Sequence, residues 1–173
     1  DLHAPGPFEL QVGAVDQVTD WVLELLQTKH FLLNERAYEE YQRSRYSRNL
    51  LYFNLYNSFP ETVLMKLKKC SVILLGCGGI GNFVAYGLAA AGVGRLYLVD
   101  KDQVELSNLT RQIFFTENDV GEEKSHVLAR EIGTRNRETI VTPIPMFVDR
   151  PSDLETLPYA DLLVLSADHP GEI

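Results

Sequence analysis

Six residues constrain this chain more than any others: Gly76-Cys-Gly78-Gly79-Ile-Gly81, set between an apolar run and an apolar helix. Val72-Ile-Leu-Leu75 carries no polar group, as a strand buried on both faces would. Asn82 to Ala91 is apolar almost all round, as a sandwiched helix would be. The G-x-G-x-x-G spacing gives each glycine a task. Gly76 permits the tight turn, Gly78 lets a phosphate approach the backbone, and Gly81 lets the helix lie close to the sheet. Amides at the helix N-terminus would hold the phosphates. Gly92 and Gly94 end the helix, and Leu96-Tyr-Leu-Val99 reads as a second buried strand. Asp100 closes that strand, where an acid can accept from ribose hydroxyls. On this motif alone, NAD would be the default ligand.

The pattern continues with a helix over about Glu122 to Thr134, a strand around Thr139 to Val148 and another at Asp161 to Ser166. Alternating strands and helices with buried strands predict an α/β fold, a Rossmann-like doubly wound and mainly parallel sheet. Ahead of it, Pro60 suits the first turn of a helix running to about Lys69. Residues 35–59 are rich in arginine and aromatics. Together with Phe31 they hold eight of the chain's 17 aromatic side chains. A free linker is poor in aromatics, so this connector is expected to pack on something, for instance a second copy of the chain. Asp16 to Lys29 reads as an amphipathic helix, followed by the short apolar segment His30 to Leu33. Three regions result: residues 1–34, the connector 35–59 and a nucleotide-binding domain from residue 60 to 173.

Composition removes several functions. A formal net charge of −8 argues against a protein coated in nucleic acid. No apolar run approaches the roughly 20 residues of a membrane span, and the first residues lack the features of a signal peptide. Cys70 and Cys77 are too few for a disulfide scaffold or a closed zinc site. They read as core or turn residues. A soluble, cytoplasmic protein is expected. Residues 71–173 carry 8 basic against 15 acidic side chains, so an anionic ligand must rely on local donors.

Such donors follow the second strand. Asp100-Lys-Asp102-Gln-Val-Glu105-Leu-Ser-Asn108-Leu-Thr-Arg111-Gln112 is dense in polar groups where open α/β sheets bind ligands. Arg111 can fork onto phosphate oxygens or simply pair with Glu105. Asn108 can accept from a hydroxyl and donate to a phosphate. Lys124 opens the next helix, as a point charge for a phosphate or as a solvated helix residue. Asp168 lies just past the last strand, where it could hold Mg²⁺ against a triphosphate or cap a turn. Hydride transfer has no need of so many charges, which makes NAD the weaker reading. His126 reads as a surface helix residue, and His169 adjoins Asp168 without a chemical role.

GCGGIGN, LVDKDQVELSNLTRQ, Lys124 and the SADHP segment resemble the adenylate-forming superfamily of ThiF, MoeB and the ubiquitin-activating enzymes. The resemblance covers about residues 43–170. RYSRN (Arg45–Asn49) and SADHP (Ser166–Pro170) are similar to the branch that contains MccB. The resemblance implies an ATP- and Mg²⁺-dependent adenylyltransferase. A carboxylate at the C-terminus of a precursor peptide would attack the α-phosphate, an acyl-adenylate would form and pyrophosphate would leave. It implies that Gly76, Gly78, Gly79 and Gly81 surround the phosphates and that Asp100 holds the ribose. Asp102, Asn108, Arg111, Gln112 and Lys124 would contact ribose or phosphates, and Asp168 would bind magnesium. Arg48 would reach the γ-phosphate from the partner of a homodimer. The helix at 16–29 and His30–Leu33 would be the remnant of a winged-helix-like peptide clamp. A silent leader-peptide-binding partner, delivering the precursor to a separate enzyme, is the alternative. Family members usually continue well past the magnesium aspartate, so the chain reads as a fragment. The zinc site that many of them carry could lie only beyond residue 173.

Overall fold

The computed structural model describes residues 43–57 and 59–167. The helix expected at 16–29, the segment His30–Leu33, His169 and Asp168 lie outside the described residues. The chain divides into two compact units, the first ending at Pro60 and the second starting at Glu61.

In the first unit the connector contains helix α1, Ser47–Asn54. Tyr46 and Leu50, one turn apart, are buried, while Leu51, Tyr52, Leu55 and Tyr56 are exposed. The Tyr52 and Tyr56 rings meet edge to face at 5.3 Å. Arg48 stands exposed on the same helix.

Helix α2, Pro60–Lys69, leads into the sheet. The order is β1 (Ser71–Leu75), α3 (Gly79–Ala91), β2 (Arg95–Val99), α4 (Lys124–Arg135), β3 (Ile140–Ile144), the short α5 (Pro151–Leu154) and β4 (Leu162–Leu165). All strand pairs are parallel, in the spatial order β3-β2-β1-β4. This is the Rossmann-like α/β arrangement that the alternation predicts. Because strand side chains alternate, β1 feeds two cores. Val72 and Leu74 pack with Ala85 and Ala89 of α3 and Val127, Leu128 and Ile132 of α4. Ile73 and Leu75 pack on the other face with Met146, Val148, Leu157 and Ala160. The chain steps from β1 out to β3, then returns to place β4 on the far side of β1. That reversal leaves a crevice at the carboxyl ends of β1 and β4.

Two strands differ from expectation. The β3 ladder stops at Ile144, not near Val148, because Met146 N–H turns back to donate to Ile144 O at 2.8 Å. Ile140 N–H and Ile144 O both face β2, so Pro143 turns its ring nitrogen outward, the place a sheet edge tolerates proline. β4 forms where its apolar run predicts, but as an edge strand with Leu162, Leu163 and Leu165 exposed rather than buried.

Candidate functional site

The glycine turn is anchored on three sides. Gly76 N–H donates to Val99 O at 2.8 Å, Ser166 Oγ donates to Gly76 O at 2.7 Å, and Cys77 N–H donates to Asp100 Oδ2 at 2.7 Å. Asn82, fully buried in α3, donates through Nδ2 to Cys77 O at 2.7 Å and accepts from Phe114 N–H at 3.2 Å. The turn leaves its glycines in different surroundings. Gly76 has φ +96°, and a Cβ there would lie 2.6 Å from Ala167 N. A Cβ on Gly81 would lie 2.0 Å from Gly76 O. A Cβ on Gly78 would meet only Gln112 Nε2, at 3.9 Å, and one on Gly79 would meet the Arg111 side chain at 3.5 Å. Nothing within the described chain requires Gly78 to lack a side chain.

The open side of Gly78 faces a cavity of about 600 Å³, within the usual range for small-ligand sites. Gly76, Gly78, Gly79, Asp100, Asp102, Asn108, Arg111, Gln112 and Lys124 all line it. Gly81 does not, although the resemblance places it beside the phosphates. It is buried and lets the start of α3 sit against the Gly76 carbonyl. Arg48 belongs to the first unit.

The polar groups are held by local structure. Asp100 Oδ1 accepts from Asp102 N–H at 2.8 Å, so both its oxygens take a backbone amide and keep lone pairs to spare. Asn108 sits in a 3-10 turn, Leu106–Thr110, where its Oδ1 accepts from Glu105 N–H at 3.1 Å. That bond uses one of the two lone pairs of its side-chain oxygen and leaves the other for a hydroxyl donor. Arg111 Nη1 donates to Ser107 O at 3.4 Å, and Arg111 has no carboxylate partner among the described residues, Glu105 included. Lys124 is not a solvated helix residue. It is 7% exposed, and its Nζ lies 3.1 Å from Asp102 Oδ2. Gln112 is 3% exposed, and its Oε1 is buried with no hydrogen-bond partner among the described residues. A buried acceptor left unpaired is costly unless a ligand or water completes it.

Burial pushes the Cys77 thiol pKa up, and Asp100 nearby pushes it further, against a smaller lowering by Lys124. The thiol therefore stays protonated and is no nucleophile. His126 pairs with Glu123 at 2.6 Å. Among the described residues no group of three or more His, Cys, Asp or Glu could hold a metal ion.

Three contributors escape the motif reading. Met146, Phe147 and Val148 form an apolar wall of the cavity, with Lys101 Nζ 3.8 Å above the Phe147 ring. Ser166 ties β4 to the turn. Asn82 organises the helix start, and its signal was available: it is a polar residue opening an otherwise apolar helix.

A parallel sheet with a glycine turn and a polar cavity at its topological switch point defines a Rossmann-like α/β domain. The chain belongs to the ThiF family, whose model matches residues 46–171. The sulfur carrier protein adenylyltransferase of Thermus thermophilus is 40% identical over 104 residues, covering 60% of this chain and 38% of that protein. The adenylyltransferase and sulfurtransferase MOCS3 of Xenopus laevis is 37% identical over 128 residues, 72% of this chain and 27% of that protein. The solved structure of E. coli MccB with ATP matches with a TM-score of 0.74 at 44% identity, covering 86% of this chain and 43% of that one. A structure of MccB with MccA-N7isoASN gives the same TM-score and identity, covering 42% of that chain. The chain thus spans less than half the length of each of these relatives. No helix among the described residues is long and apolar enough to cross a membrane.

Proposed function

We propose that this chain forms the nucleotide site of an ATP-dependent adenylyltransferase that activates the C-terminal carboxylate of a precursor peptide. One observation carries the reading. Gly78 opens without obstruction onto a cavity where, among the described residues, Arg111 has no carboxylate partner and the Gln112 oxygen has no donor. E. coli MccB, solved with ATP and with MccA-N7isoASN, supports the choice of nucleotide and of a peptide substrate.

In the reaction, a carboxylate oxygen bonds to the α-phosphorus as the bond to the bridging oxygen breaks. The leaving pyrophosphate keeps that electron pair. Negative charge grows on the bridging oxygen, so cations aimed there stabilise the transition state more than the ground state. Arg111 and Lys124 would serve that end, with the Gly78 and Gly79 region of α3 cradling the phosphates. Asp100 and Asn108 would hold the ribose, and Asp102 keeps Lys124 in place. Magnesium would be held by Asp168, next after the lining residue Ala167. A homodimer would supply Arg48 in trans. The exposed apolar face of α1, where Leu51, Tyr52 and Leu55 follow Arg48 at helical spacing, fits such a contact.

The test is ATP–pyrophosphate exchange with candidate peptides, run beside CTP. Removing one transition-state donor typically lowers the rate by about 10²–10³. Arg48→Ala, Arg111→Ala and Asp168→Ala should each lose exchange by at least this factor while the thermal midpoint stays put. Near wild-type exchange in the Arg111 variant would sink the assignment.

A further inference from the structure

Lys124 reaches the cavity because two loops are laced together at the start of α4. Val104 N–H donates to Glu122 O at 2.8 Å, Gly121 N–H to Val104 O at 2.9 Å, and Lys124 N–H to Asp102 O at 2.9 Å. Gln103 and Glu123 form an antiparallel bridge between them. The side chains that pin this lacing do not line the cavity. Asp119 is 5% exposed, and its Oδ2 accepts from Thr116 N–H at 2.6 Å and from Thr116 Oγ at 2.7 Å. Its Oδ1 accepts from Arg130 Nη2. Arg130 Nη1 donates in turn to Glu122 Oε2 at 2.8 Å.

Arg130 and Lys124 lie on the same helix. Arg130 therefore grips both ends of the 119–122 segment and fixes it to the element that carries the cavity's buried lysine. Burial pushes the Asp119 carboxyl up, but the Thr116 hydroxyl and amide and the Arg130 guanidinium outweigh it and hold the group ionised. The hydrogen bond that Arg130 donates to Glu122, with the charges of Glu122 and Asp119 adding to it, holds the guanidinium charged against desolvation. A partly buried pair of this kind is geometrically strict, because losing one partner strands the other.

We infer that Arg130 and Asp119 are positioning residues: their ion pair sets the Lys124 ammonium and Asp102 at the nucleotide cavity without touching the nucleotide. The inference rests on the reading of the cavity as an ATP site. A purely structural pair would stabilise the loop and leave Lys124 indifferent to it.

A double-mutant cycle separates the two. ATP affinity of the full-length protein is measured by calorimetry for Arg130→Ala, Arg130→Lys and Asp119→Asn, each with Lys124 intact and in a Lys124→Ala background. With Lys124 intact, Arg130→Ala should weaken ATP by about tenfold, the order expected when a binding group shifts by a fraction of an ångström. In the Lys124→Ala background the same change should cost less than about twofold, since the group it positions is gone. Arg130→Lys should recover most of the loss. Equal losses in both backgrounds, or none in either, overturn the inference. Should Arg130→Ala fail to fold, Asp119→Asn keeps the Thr116 contacts and carries the same comparison. Wild-type protein that binds no ATP would remove the nucleotide reading and this inference with it. Wild-type binding with additive losses would remove the clamp alone.

Discussion

Gly78 and Gly81 sit three residues apart and should behave in opposite ways when each becomes alanine. At Gly81 the new methyl would meet a backbone carbonyl at 2.0 Å, a partner that cannot move aside. Gly81→Ala should therefore cost about 3 kcal/mol, the upper range of overpacking, read as a lower denaturation midpoint. At Gly78 the methyl would have 3.9 Å of clearance. Gly78→Ala should stay within about 0.5 kcal/mol of wild type in stability, as most unconstrained substitutions do. It should nonetheless lose ATP binding, because its open face is where a phosphate would lie. A Gly78→Ala protein that binds ATP normally would remove the phosphate from this turn. The same scale shows what residue types can and cannot reveal. The spacing of the four glycines was readable, but which of them line a cavity depends on Ser166 and Ala167, nearly ninety residues away. Lys124 could be read as a point charge for a phosphate or as a solvated helix residue, but not as buried, since its burial comes from a loop pairing that leaves no local pattern.

At the scale of elements, β1 and β4 are joined at their start as well as at their end. Asp161 Oδ2 accepts from Ser71 N–H and from Ser71 Oγ, both at 2.8 Å. The backbone and side-chain bonds from Ser71 hold the Asp161 carboxyl below its ordinary value. Asp153 is lowered by the amides of Asp149 and Arg150, and Asp119 as described above. A carboxyl with a lowered folded-state pKa stabilises the fold above its unfolded value, and that contribution disappears as pH falls through the folded value. The thermal midpoint should thus change little from pH 7 to about 5 on account of these groups and decline below about 4, the ordinary aspartate range. Asp161→Asn should lower the neutral-pH midpoint and flatten the acid decline. An unchanged acid slope would show that Asp161 plays no part in it. The strand–turn–helix–strand core was legible because strands buried on both faces are apolar throughout. β4 has the same composition and lies exposed at an edge. An apolar run says that something covers a strand but not which element does so. Helix α1 went unread because aromatic residues and arginines mask its periodicity.

For the whole molecule, the proposal of a shared site makes a quantitative demand. If Arg48 acts in trans, a variant lacking Arg48 and one lacking Lys124 damage different halves of each site. Mixed after subunit exchange, half the dimers are hybrids with one intact site in two, so roughly a quarter of wild-type exchange activity should return. If both residues serve the same protomer's site, the mixture stays inactive.

The two margins of the sheet are not equivalent, and the difference has a consequence for growth. At the β3 margin the outward position of residue 143 is a proline, so one hydrogen-bond donor of that rim is missing. At the β4 margin Ser166 N–H donates to Leu75 O, which by strand alternation turns the amides of Leu163 and Leu165 the other way, and neither of those positions is a proline. The sheet is therefore polarised like a ratchet: another strand can dock along β4 with its full ladder but not along β3. Whatever extends or pairs with this domain through its backbone is directed to the side that holds Ser166, beside the mouth of the cavity.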